Sequence, residues 1–165
     1  MLKIKFLILF FSFLVLSSCG MKLENNDNKF SIEYLSGGQS AFIFKNILTQ
    51  QLIANNMYDI NSNNIISISM VEDKKYQSAS ITKVASRKLN QLSIEIKIYN
   101  DRNKKCILFN EEYNSEQSFL LANSSANLSN LAAESDILLI NSENISIEII
   151  DDLLLYPNND CIALE

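Results

Sequence analysis

The residues best able to do chemistry are few. Adjacent carboxylates occur at Glu72-Asp73, Glu111-Glu112 and Asp151-Asp152. Acid–base catalysis needs two carboxyls facing each other across a cleft, in environments that separate their pKa values. Neighbours on a strand point to opposite faces, and neighbours on a helix diverge by about 100°. The three pairs therefore read as surface charge. The chain has no His, so it has no imidazole base, no Ser-His pair and no His-ligated metal. It also lacks a P-loop, a Gly-rich dinucleotide turn and a G-x-S-x-G elbow. No cofactor or metal is expected, and no enzymatic activity. Two cysteines, Cys106 and Cys161, stand far apart in the chain. They form either a disulfide or two separate thiols.

The basic residues fall into two clusters. Lys83, Arg87 and Lys88 form one; Arg102, Lys104 and Lys105 form the other. On a chain of net charge −5 they read either as a positive patch for phosphate groups on a lipid head, or as Lys and Arg blunting an edge strand and solubilising a turn. The acidic balance argues against a nucleic-acid partner, which requires basic charge to displace counterions. An apolar fraction of 47% is too high for a disordered chain.

The elements that would position these residues begin after a leader. Lys3 and Lys5 precede an apolar run from Phe6 to Leu16, and Leu16-Ser17-Ser18-Cys19 follows. This is a secretory signal, too short to be a comfortable transmembrane span. Its ending resembles the lipobox of bacterial lipoproteins, in which the Cys thiol and the new amine are acylated after cleavage. Residues 1–18 are thus expected to be a signal peptide and Cys19 the lipidated residue, with 19–29 as a polar, Asn-rich tether. Gly20 rather than Asp after the Cys favours the outer membrane under the usual lipoprotein sorting rule. Three acyl chains exceed the two signals needed for firm anchoring.

Alternation of Phe30, Ile32 and Tyr34 marks a first strand, broken by Gly37-Gly38. Ser40 is the expected cap of a helix over Ala41–Asn55, whose Phe44, Ile47, Leu48 and Leu52 make one stripe. Ile66, Ile68 and Met70 mark a second strand, and Glu72 to Lys75 reads as a solvated connection. An extended segment runs from Ser80 to Tyr99, with a bulge or bend expected near Arg87-Lys88. Asn100 to Lys105 reads as a hairpin turn, and Cys106 to Ser118 as the return strand. The last third fits a helical stripe through Leu128, Leu131, Leu138, Leu139, Ile145, Ile149 and Leu153, closed by Pro157. Ile145, Ile147 and Ile149 also alternate as a strand would. The helix is preferred because no turn signal divides the segment. Return strand and helix have similar lengths, about 43 and 45 Å, so the helix end comes back to the strand start and Cys161 near Cys106.

This order of elements, with Ser-Ile-Thr-Lys-Val-Ala-Ser-Arg at 80–87 leading into Leu-Ser-Ile-Glu-Ile-Lys-Ile at 92–98, and with Cys19-Gly20 after the leader, resembles the LPS-assembly lipoprotein family LptE. The resemblance implies an α+β fold: a small mixed or antiparallel four-stranded sheet with two helices packed on one face. The domain spans 30–157, with 158–165 as a tail. It implies a non-enzymatic lipoprotein of the outer membrane, facing the periplasm, that plugs and helps assemble the β-barrel LptD and takes part in lipopolysaccharide transport. Arg87 and Lys88 are the implied lipopolysaccharide contacts. Two alternatives remain: an auxiliary lipoprotein of another envelope lipid-transport complex, and a lipoprotein binding a small apolar ligand between helix and sheet.

Overall fold

The computed structural model describes residues 28–78, 85–121, 127–155 and 161. The expected signal peptide, Cys19, the tether up to Asp27 and Lys83 lie outside them. The element order is β1 (Ser31–Ser36), α1 (Gly38–Ala54), β2 (Ile65–Ser78), β3 (Ala85–Tyr99), β4 (Ile107–Leu120) and α2 (Asn127–Leu155). The strands form one mixed sheet in the order β1-β2-β3-β4. β1 runs parallel to β2, and the other pairs are antiparallel. Both helices pack on one face, touching each other and the sheet. The fold is α+β.

Alternation fixes which side of each strand is buried. Ile66, Ile68 and Met70 of β2 pair with Ile98, Ile96 and Ile94 of β3, and these are buried beneath the helices. Phe109 and Tyr113 of β4 extend the same layer. From above, α1 inserts Ala41, Phe44, Leu48 and Leu52, and α2 inserts Ile145, Ile149, Ile150 and Leu153. In α2, Ile145 and Ile149 are buried while Ile147 between them is 50% exposed. That is the period of a helix and not of a strand.

Four points bear on the sequence reading; the second agrees with it and the others differ. First, the segment from Glu72 to Lys75 is not a connection. It continues β2 to Ser78, because every residue of it pairs with β3. Second, the irregularity expected near Arg87-Lys88 is present: the register shift opposite Gln77 and Ser78 skips Ser86, one residue before Arg87.

Third, Ser40 does not cap α1. The helix starts at Gly38 behind Gly37, whose φ is +122°. A Cβ on Gly37 would lie 2.8 Å from Met70 Cβ and 2.9 Å from Met70 O. A side chain is excluded there by both backbone conformation and space.

Fourth, the apolar stripe of α2 is not buried along its whole length. Leu128 and Leu131 are 83% and 61% exposed. The cause is the unequal length of the elements. The 17 residues of α1 span about 26 Å and start at the level of Met70, whereas the 14 residues of β2 span about 46 Å. Beyond Glu72, which Ser40 of α1 still reaches, the sheet meets only α2 among the described residues, and β1 pairs no further than Ser69.

Candidate functional site

The far half of the sheet, from Glu72 to Ser78, carries the sequence-predicted lipopolysaccharide contacts. The strand parity that buries Met70 places Glu72, Lys74 and Tyr76 on the helix side of the sheet, opposite Leu92, Asn90 and Lys88; Lys74 and Tyr76 stay exposed there. Here the layer turns from apolar to charged. Lys88 is 6% exposed, and its Nζ donates to Glu134 of α2. The same ammonium sits 5.1 Å from the Tyr76 ring centre. Burial works against the charged lysine, but Glu134 and Tyr76 outweigh it and hold Lys88 above its ordinary pKa. Lys74 also reaches Glu134, at 3.5 Å, and Glu72, at 3.1 Å.

Glu72 is the hub of this layer. Its carboxylate accepts hydrogen bonds from Ser40 (2.7 Å) and Asn90 (2.9 Å) as well as from Lys74. Burial raises its pKa, yet those three donors together hold it below the usual carboxylate value. Next along α2, Asn141 is fully buried and accepts a hydrogen bond from Ser115 at 2.8 Å. Nearer the helix end, the Tyr113 hydroxyl donates to Asp152 at 2.7 Å. Burial and that carboxylate push the phenol far above its ordinary value.

Arg87 and Lys88 do not share a surface. Lys88 is buried under α2, while Arg87 pairs with Gln77 and Leu120 on the opposite, open face and is exposed. Nor do the two basic clusters form one patch. Arg102, Lys104 and Lys105 lie at the other end of β3, about 40 Å away along the strand. The adjacent carboxylates diverge. Glu72 is in the charged layer, contrary to the expectation of surface charge, and Asp73 pairs with Lys75 on the open face at 2.9 Å. Asp152 meets Tyr113, and Asp151 is exposed.

Cys106 and Cys161 are bonded, with Cα atoms 5.1 Å apart. The bridge ties the chain beyond α2 to the residue before β4. It closes the same end at which the hairpin turn is pinned by Asn100 N–H to Cys106 O (3.2 Å) and Lys104 N–H to Asp101 O (3.2 Å).

The open face of the sheet is polar. Lys97 pairs with Glu95 (2.6 Å), Lys104 with Glu33 (2.8 Å), and Ser36 with Ser69 (2.9 Å); Ser93 hydrogen-bonds Asn114. Val71 and Leu120 are its exposed apolar exceptions. Sequence reading missed Ser40, Tyr76, Asn90 and Glu134 as members of the charged layer. The signal was present: Glu72, Lys74 and Tyr76 keep the parity of Ile66, Ile68 and Met70, and Glu134 keeps the helical phase of Leu138, Ile145 and Ile149.

The fold is also found in solved structures. Rare lipoprotein B from Shewanella oneidensis superposes with a TM-score of 0.60 at 10% identity, over 78% of this chain and 95% of that one. The fold is shared with bacterial lipoproteins. A minor lipoprotein from Acinetobacter baumannii gives 0.60 at 17% identity, over 76% of this chain and 89% of its own. Lipoprotein B from Nitrosomonas europaea gives 0.52 at 14% identity, over 76% and 81%. No protein-family model and no curated protein matches the sequence. No helix among the described residues is long and apolar enough to cross a membrane.

Proposed function

We propose that the chain is a non-enzymatic lipoprotein, acylated at Cys19 and held on the periplasmic side of the outer membrane. There it plugs and helps assemble an LptD-like β-barrel and takes part in lipopolysaccharide transport. The observation that carries this reading is the sheet itself. One face carries the two helices, and the other meets no further element among the described residues and presents paired polar side chains. Such a surface suits a wet lumen, where a plug must touch polar walls and water together. The lipobox ending at Cys19 and the fold shared with lipoproteins of other bacteria support the same address. A lipid tether beside the barrel raises the effective concentration for docking.

Within this reading, Arg87 is the lipopolysaccharide contact. Its guanidinium lies on the open face at the far end of the sheet, where it can fork onto phosphate oxygens. Lys88 acts differently, by holding α2 onto the sheet through Glu134. The test is affinity purification of the acylated protein from outer membranes in mild detergent. A stoichiometric large β-barrel is the expected companion. Recovery with inner-membrane partners only, or a chain whose mass shows no acylation at Cys19, refutes the proposal.

A further inference from the structure

A cleft of about 340 Å³ wraps the outer edge of β1, at the end of the sheet opposite Arg87. Its walls include Ile32 of β1, Lys45 of α1, Tyr58 and Ile60 of the following loop, and Arg102 of the β3–β4 turn. Two features single it out.

The first is the backbone. Phe30 turns both of its main-chain groups away from the sheet: its N–H donates to Met57 O (2.8 Å), and its carbonyl accepts from Asp59 N–H (2.9 Å). The chain at Tyr58 thus begins a parallel strand outside β1, seen as the Phe30–Tyr58 bridge. Ser31 N–H points inward, to Asn64 O (2.9 Å). Strand alternation therefore turns the N–H and C=O of Ile32 outward again. By then the loop has left, because Ser62 N–H closes a turn onto Asp59 O (3.0 Å). The outer row is started by this chain and then abandoned at the cleft.

The second feature is charge. Neither Lys45 nor Arg102 has a carboxylate partner among the described residues, although the chain is acidic overall. The carboxylate in the wall, Glu33, is neutralised by Lys104 at 2.8 Å. Nearby Asp59 turns into its own loop and accepts Asn61 N–H at 2.9 Å. Among the described residues, the cleft therefore carries two unopposed cations. Ile60, 69% exposed, adds an apolar rim.

We propose that this edge receives an extended, acidic segment of a partner protein, which continues the row begun at Tyr58. Its main chain pairs with the outward groups of Ile32, and its carboxylates meet Lys45 and Arg102. Backbone pairing gives the affinity of such strand addition, and flanking side chains give its selectivity. The cleft borders the open face invoked for the barrel at Glu33, but the outward main chain of Ile32 and the side chains of Lys45 and Arg102 were not invoked for it. Peptide binding and barrel co-purification can each fail without the other.

The test uses the purified full chain and a fluorescein-labelled hexapeptide of alternating Glu and Val, followed by fluorescence anisotropy at low salt. The peptide is expected to bind, and its counterpart with Lys in place of Glu is not. Lys45→Glu and Arg102→Glu should each weaken binding roughly tenfold, less so as salt is added. Ile32→Pro removes an outward N–H that the sheet does not use, so it should abolish binding; the Ile32 side chain packs against the core, so thermal unfolding should drop by several degrees with the folded circular dichroism spectrum retained. If that variant misfolds, the peptide methylated on alternate backbone nitrogens carries the same test against the parent protein. Equal binding of the Glu and Lys peptides overturns the proposal. So does indifference to both charge reversals, or full binding by the methylated peptide. Displacement of the peptide by glycerol 3-phosphate at comparable concentration would assign the two cations to a phosphate group instead.

Discussion

Replacing Cys161 with Ser tests how the two ends of the long helix are held. The bridge closes a loop of 55 residues that contains all of β4 and α2. In the chain-entropy model, a loop of that length lowers the entropy of the unfolded chain enough to stabilise the fold by about 4 kcal/mol. A domain of this size has a total stability of only about 5–15 kcal/mol, so the loss should be large. The assay is guanidinium unfolding followed by far-UV circular dichroism, with and without reductant. With a denaturant slope of roughly 4 kcal/mol per molar, the midpoint should fall by about 1 M. Cys106→Ser should give the same shift. The double variant should be no worse than either single one, because all three remove one bond. Reductant should lower the parent to the level of the variants and leave the variants unmoved. A parent indifferent to reductant, or single variants whose effects add, would refute the account.

Gly37→Ala combines a left-handed backbone with a contact inside 3 Å of the β2 main chain, and should cost about 3 kcal/mol by thermal or chemical unfolding. Glu134→Gln should cost more than Lys88→Met, about 2–3 against about 1 kcal/mol. The first strands a buried ammonium, while the second leaves Glu134 still partnered by Lys74; a denaturation series on both variants decides the order. Because the Glu72 pKa is lowered on folding, its contribution is complete above the unfolded carboxylate value of 4.5 and is lost as pH falls through the lower folded value. Glu72→Gln should therefore flatten the acid limb of a stability-against-pH curve. Asn141 is buried with its Nδ2 unpaired, so Ser115→Ala alone should destabilise by about 1 kcal/mol. The pair Ser115→Ala with Asn141→Leu should recover that loss or exceed it, as measured by urea midpoints.

Where one periodicity ruled a segment, the sequence was enough. Leu92 to Ile98 alternates without fault, and each even position is buried. The Asn100–Lys105 turn follows from its composition, and Lys104 there adopts a φ of +55°. The order of elements and the helical phase of the last third were legible for the same reason. What misled was charge. Val71 to Ser78 contains Glu, Asp and two Lys, and it reads as solvated until its partner strand is known. Its side chains from Asp73 to Gln77 do stay exposed, but pairing with β3 satisfies the main chain, so the propensity of the residues did not decide the outcome. The distribution of cations was equally illegible. Adjacent positions 87 and 88 fall on opposite faces, and the cleft cation Lys45 meets Arg102 only through the way β1, α1 and the hairpin turn converge.

The unequal lengths of the two helices divide the molecule into a closed end and an open-sided end. At the closed end, α1 and α2 lie side by side over isoleucines, the disulfide fastens the chain, and β1 completes the sheet. At the other end, α2 lies over β3 and β4, and its hold on the sheet is polar: Lys88 and Lys74 on Glu134, Ser115 on Asn141. Apolar burial tolerates small shifts of a helix along its groove, because it is non-directional. A set of charged hydrogen bonds does not, because each partner must be met or left uncompensated. The far half of α2 is thus fixed in register on the sheet. At its N-terminal turns, Leu128 and Leu131 stay exposed, because no described element covers them there.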